Sequence, residues 1–131
     1  KYSKNFYKKY KKCNSLLFMG FQSQEGIQKL YETADALIFP SLIETWGLPL
    51  SEAKKFNLPI IASDLNYAHS TIGNYHSVCF FDPYNAKNLA SMLAKCNQGM
   101  NIFSSTSYPT PSPPFAKTFK ELIDLMLPNK T

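Results

Sequence analysis

At 131 residues, with 44% hydrophobic and 18% charged side chains, the chain has the size and composition of one globular domain with a true core, and no second domain fits. No apolar run approaches the roughly 18 residues of a membrane span, and the lysine-rich start is not followed by the apolar core and small-residue cleavage site of a secretory leader. The net charge of +5 comes from Lys1, Lys4, Lys8, Lys9, Lys11 and Lys12; beyond them eight lysines face nine acids, which argues against a general nucleic-acid-binding face.

The chain opens on a basic stretch, residues 1–14, in which Tyr2, Phe6, Tyr7 and Tyr10 interleave with lysines at near-helical spacing. It reads as a helical lead-in, with peripheral contact to an acidic or membrane surface as one use of it. Four short apolar runs follow: Ser15 to Met19, Ala36 to Phe39, Pro59 to Ala62 and Val78 to Phe81. Each has the length of a buried strand. Between the first two, Ile27, Leu30, Tyr31 and Ala34 recur at i, i+3, i+4, i+7, so Ser23 to Thr33 is an amphipathic helix capped by Ser23. Pro49 to Phe56 forms the next helix, with Leu50, Ala53 and Phe56 inward and Lys54 and Lys55 outward. A helical turn over Tyr67 to Ile72 ends at Gly73, and Asp82-Pro83 opens a helix to about Asn97 with Leu89, Met92, Leu93 and Cys96 on one face.

Strands alternating with helical connections require parallel pairing and right-handed crossovers. The expected fold over residues 15–98 is therefore a doubly wound α/β layer of about four parallel strands with helices on both faces. Residues 99–114, rich in Ser, Thr and Pro, read as an extended connector with little structure, and residues 115–131 as a C-terminal unit whose helix, Phe115 to Leu127, carries Phe119, Leu122, Ile123, Met126 and Leu127 along one side. Cys13, Cys79 and Cys96 are odd in number and lack CxxC or zinc-like spacing, so they read as reduced thiols in a cytoplasmic protein with no metal site.

The segment from Phe39 to Glu52 carries the chemistry. Gly47 and Pro49 separate Glu44 from Glu52, so Glu44 belongs to a loop and Glu52 to the first turns of a helix. Pro49 at the first helical position would leave Leu48 as a poor cap, with the N–H groups of Leu50 and Ser51 free to receive an anion. In doubly wound sheets ligands bind beyond the carboxyl ends of the strands. Two carboxylates flanking such a helix start suit a polyhydroxy ligand carrying phosphate. The alternative is a helix capped one turn earlier by Thr45, with both glutamates merely solvated. His69 and His76 read as structural.

The run Ala34 to Ser41, the Glu44-x7-Glu52 pair, Gly47-Leu48-Pro49-Leu50, Ala53 and Pro59 to Ser63 together resemble the C-terminal domain of group 1, family 4 glycosyltransferases, which are retaining enzymes of two-domain GT-B architecture. The resemblance spans about Leu16 to Cys96. It implies a nucleotide-diphospho-sugar as donor, no bound metal or other cofactor, and transfer of a hexosyl group to a glycan or lipid-linked acceptor of the envelope-polysaccharide type. It implies that Glu44, Trp46 and Gly47 meet the donor sugar, that the Leu48 and Leu50 amides meet the diphosphate, that Glu52 meets the ribose, and that Gly20 lies near the base. The family usually has Phe at the place of Trp46 and an acid at that of Ser70. The Arg and Lys that hold diphosphate in the family, and its acceptor-binding N-terminal domain, have no counterpart in this chain, which contains no arginine. A catalytically silent nucleotide-binding or protein-interaction module is the alternative.

Overall fold

A computed structural model describes residues 2–109 and 118–126. The helix α1 (Tyr2–Tyr10) comes first, then α2 (Gln24–Thr33), β1 (Leu37–Phe39), α3 (Leu48–Lys55), β2 (Ile60–Ser63), α4 (Asn66–Ile72), β3 (Tyr75–Phe81), α5 (Ala86–Asn97), β4 (Ser104–Thr106) and α6 (Phe119–Met126). The strands form one sheet in the order β1-β2-β3-β4. β1, β2 and β3 pair in parallel, with Leu37 opposite Ile60 and Ile60 opposite Val78.

The pleat sorts these strands into two faces. Leu37, Phe39, Ile60, Ala62, Val78 and Phe80 point to one side, where Leu50 and Ala53 of α3 and Ala68 and Ile72 of α4 meet them in the main core. Ile38, Ile61, Cys79 and Phe81 point to the other, the side of α5, whose Leu89, Met92, Leu93 and Cys96 are half-buried. Burial raises the Cys79 thiol pKa, with Cys96 of α5 adding to the shift and Lys95 opposing it. β2 is buried along its whole length because it has neighbours on both edges and both faces. The expected α/β layer is present.

Its strand membership differs from the expectation in two places. Residues 16–20 form no strand, and Leu16 to Met19 stay 40–83% exposed. Phe18 instead packs edge-on against Phe6 and Tyr7 of α1, so a local aromatic cluster has taken the run that would otherwise join the sheet. The fourth strand is β4, inside the presumed connector, and it pairs antiparallel with β3. The outer edge of β3 needs hydrogen-bond partners, and Thr106 supplies them: its Oγ1 donates to the Gly73 carbonyl at 2.8 Å and accepts from the Tyr75 N–H at 3.3 Å. The sheet is thus mostly, not wholly, parallel. Residues 110–114 of that connector lie outside the described residues.

Helix boundaries follow their caps. Ser23 caps α2 through the Gly26 N–H, as expected. α5 begins three residues later than Pro83 would allow, because Asp82 accepts from the Tyr84 N–H in a turn and Asn85 caps the helix through Asn88. α3 ends where Asn57 takes φ 54°, a left-handed exit with the Leu58 N–H bonded to the Ala53 carbonyl at 3.0 Å. Lys54 does not point outward. Its Nζ donates to the Ile72 carbonyl at 2.5 Å, placing a cation at the C-terminal end of α4 where the helix dipole favours it. In α6 the apolar side expected of the last helix is exposed, with Phe119 at 77% and Met126 at 70%; positions 115–117 and 127 lie outside the described residues.

Truncating the buried strand should expose this hierarchy. Ile60→Ala is expected to lower the unfolding free energy by about 2–5 kcal/mol, whereas Ile38→Ala, on a side chain 40% exposed, should cost well under half as much. Urea denaturation of the two variants compares them directly.

Candidate functional site

The loop between β1 and α3 leaves the carboxyl end of β1 and returns to the same end as α3 begins. Its last residue, Gly47, has φ 76° and ψ 52°, a conformation that favours glycine, and it is the N-cap of α3. The helix therefore starts one residue earlier than Pro49 at the first position would have it: Leu48 is N1 and Pro49 is N2. A Cβ at position 47 would also stand 3.1 Å from Leu50 Cδ1, so both the backbone angle and the packing require glycine.

Among the described residues no side chain caps α3. The expected pair of free amides is nevertheless halved, because the Leu50 N–H donates to the Gly47 carbonyl at 2.9 Å while the Leu50 side chain is fully buried. Leu48 and Trp46 project outward, 64% and 63% exposed.

The two carboxylates stand on either side of this turn, and each is held by a hydroxyl. Ser41 Oγ donates to Glu44 Oε1 at 3.1 Å within the loop, leaving Glu44 exposed. Tyr31 of α2 donates to Glu52 Oε2 at 3.0 Å, and its ring stacks on Phe56 at 5.5 Å, so Glu52 is half-buried and oriented from across the α2–α3 contact. Burial foremost, then the hydrogen bond to Glu52 and the negative charge beside it, push the Tyr31 pKa up to about 12. An acceptor so oriented keeps its other oxygen for a ligand hydroxyl.

A third element fixes the loop. Tyr67 and Thr71, one turn apart on α4, donate to the carbonyls of Ser41 and Trp46, the first at 2.7 Å. The Tyr67 pKa is raised, chiefly by burial and further by the Glu44 charge, which marks that hydroxyl as a neighbour of the exposed carboxylate. Ser63 at the end of β2 is fully buried, and its Oγ has no hydrogen-bond partner among the described residues. His69 hydrogen-bonds Asp64 at 2.6 Å and stacks on Phe80 at 3.9 Å, which tethers the loop after β2.

Glu44, Trp46, Gly47, Leu48 and Glu52 are thus gathered around one turn. Around Gly20 the space is open, with no atom beyond its chain neighbours within 4 Å of where a Cβ would stand. Tyr31, Ser41, Tyr67 and Thr71 are the site residues that sequence reasoning missed. The i, i+4 spacing of Tyr67 and Thr71 on a helix beginning beyond the next strand was the available signal.

Two outcomes follow. Trp46 is the sole tryptophan, so Thr71→Val should increase its local mobility, read as faster fluorescence anisotropy decay, with Tyr67→Phe acting in the same direction. Tyr31, with a folded pKa above its ordinary value of 10.0, contributes stability that is complete below pH 10 and is lost as pH rises through about 12. Melting temperature followed across that window should fall less steeply in Tyr31→Phe.

The profile of the glycosyl transferases group 1 family matches residues 1–98. Among curated proteins, the O-antigen chain mannosyltransferase RfbU of Salmonella typhimurium is 29% identical over 85 residues, 65% of this chain and 24% of that protein. The serotype-specific mannosyltransferase WbdA of Escherichia coli is 27% identical over 82 residues, 63% of this chain and 10% of that protein. An uncharacterized glycosyltransferase of Methanocaldococcus jannaschii is 31% identical over 52 residues, 40% of this chain and 13% of its own length. The chain thus spans a quarter or less of these relatives. No solved structure gives a significant match. With the profile covering about three-quarters of its length, the chain belongs to the group 1 glycosyltransferases.

Proposed function

We propose that this chain is the donor-binding part of a retaining glycosyltransferase that moves a hexosyl group from a nucleotide-diphospho-sugar to a glycan or lipid-linked acceptor in envelope polysaccharide synthesis. The observation that carries this reading is the pair of hydroxyl-held carboxylates flanking the uncapped start of α3. Glu44, exposed on the loop, accepts hydroxyls of the donor sugar, with Trp46 and Gly47 beside it. Glu52, held by Tyr31, accepts hydroxyls of the ribose. The diphosphate lies between them against the Gly47–Leu48 backbone, where amide dipoles and the helix end favour negative charge.

In this arrangement neither glutamate need be an acid, a base or a nucleophile. The rate would come from neutralising charge on the departing diphosphate. The cation expected for that task is not supplied by Lys54, which is committed to the end of α4, nor by any arginine. A complete GT-B enzyme would draw it from the opening strand and helix of this same domain, and the acceptor site from the N-terminal domain. The mannosyltransferase names of two relatives make GDP-mannose the first donor to try. The lack of arginine favours one second reading, a nucleotide-binding or protein-interaction module that has no transferase activity of its own. Reduced cysteines and a nucleotide-sugar donor both fit a cytoplasmic setting.

Calorimetric or NMR titration with GDP, UDP and ADP tests the site. Binding is expected at about 1 mM, equivalent to roughly 4 kcal/mol. Glu52→Ala should weaken a bare nucleotide more than Glu44→Ala, and the order should narrow with GDP-mannose, whose sugar engages Glu44. Equal losses with the bare nucleotide, or no binding of any of the three, would overturn the assignment. Sugar release from GDP-mannose by the chain alone would sink the silent-module reading.

A further inference from the structure

We propose that Ser63 is a positioning residue for Glu44, acting through Tyr67 and Ser41 to secure the β1–α3 loop when a donor sugar is held; the proposal rests on the donor-binding reading above. Ser63 closes β2, the strand with neighbours on both edges. It has no exposed surface and so touches no ligand itself, and its Oγ has no hydrogen-bond partner among the described residues. A buried hydroxyl left unpaired costs stability that alanine would not. Its surroundings account for its presence. The chain turns sharply after it, the Leu65 N–H bonding the Ser63 carbonyl at 2.8 Å, so α4 starts at once and Tyr67 in its first turn reaches back to the Ser41 carbonyl. The Tyr67 pKa is raised chiefly by burial, and the Ser63 hydroxyl leads the groups that act against that rise, ahead of Ser41. Both serine hydroxyls therefore face that of Tyr67, beside the loop that carries Glu44.

Counting protons sets the direction of bonding among these groups. Tyr67 gives its one proton to the Ser41 carbonyl at 2.7 Å, so its oxygen is left as an acceptor, and Ser63 is the buried donor that faces it. Ser41 Oγ stands 3.1 Å from both the Ile43 carbonyl and Glu44 Oε1, so its single proton serves either. Ser63 to Tyr67, Tyr67 to Ser41 and Ser41 to Glu44 is then a chain in which each hydroxyl donates once. It ends on a carboxylate, which only accepts. The first link is the one that is open in the ligand-free protein. A sugar hydroxyl that draws Glu44 and its loop inward closes that link, and the closed chain is strengthened by mutual polarisation. The gain belongs to the ligand-bound state, which is the condition for a contact to raise affinity. The stability given up by burying the Ser63 hydroxyl unpaired is recovered when the sugar is held.

Titration of the full chain and of Ser63→Ala, Ser63→Cys, Tyr67→Phe and the Ser63→Ala/Tyr67→Phe pair with GDP and with GDP-mannose tests the assignment, circular dichroism verifying the fold of each. Ser63→Ala is expected to leave GDP affinity within about twofold and to weaken GDP-mannose roughly fivefold. Ser63→Cys, close in size but a poor donor, should match it. Tyr67→Phe should show the same selective loss, and the pair no more than the larger single loss, since both break one chain. Anisotropy decay of Trp46, the sole tryptophan, supplies a second readout: bound GDP-mannose should slow its motion in the unaltered chain and not in Ser63→Ala. Equal weakening of GDP and GDP-mannose, wild-type behaviour of Ser63→Cys, or single losses that simply add would overturn the proposal. Normal GDP-mannose binding in every Ser63 variant would also overturn it while leaving the donor site standing. Failure of the unaltered chain to bind either ligand would remove the donor site, and the proposal with it.

Discussion

The site depends on the fastening of one loop to a helix that follows the next strand. Ser41 and Trp46 sit near the two ends of the β1–α3 loop, and α4 takes hold of a carbonyl from each. The four residues between them, Glu44 included, are thereby spanned by two anchors one helical turn apart. Without such anchors an exposed loop of this kind would sample many conformations, and the cost of ordering it would fall on the ligand. Lys54 extends the arrangement by binding the far end of α4 from α3. The three pieces that frame the turn therefore hold one another.

The same logic explains why the glutamates are supported by hydroxyls and not by cations. A salt bridge would occupy a carboxylate and neutralise it, whereas Tyr31 and Ser41 each donate one proton and leave the charge in place. Glu52 is the more constrained of the two, since its partner reaches it from another helix and is itself packed against Phe56. Glu44 is held from within its own loop, by Ser41.

Much of this was legible in the residues. Periodicity located α2, α3 and α5, whose apolar side chains recur at helical spacing, although α3 buries Leu50 and Ala53 while Ile27 and Leu30 of α2 stay 39% exposed, and the short runs at Leu37, Ile60 and Val78 proved to be strands. The family resemblance carried by Glu44, Gly47, Glu52 and Pro59 to Ser63 agrees with the profile match. What escaped reading was decided at a distance. Nothing local separates Leu16 to Met19 from a buried strand; its fate turned on the phenyl and phenol rings of α1. Ser104 to Thr106 looked like connector because its pairing is dictated by the open edge of β3, some thirty residues away in the fold's connectivity. The cross-loop hydroxyls were invisible for the same reason, and the shift of the α3 cap from Leu48 to Gly47 came from a left-handed backbone angle that glycine permits but does not announce.

The strand order β1-β2-β3-β4 is also the order of synthesis. Among the described strands each later one pairs with the one made just before it, so each closure spans some twenty to thirty residues. A sheet built this way can form progressively as the chain emerges from the ribosome, with β2 acquiring both neighbours early and β4 sealing the edge last.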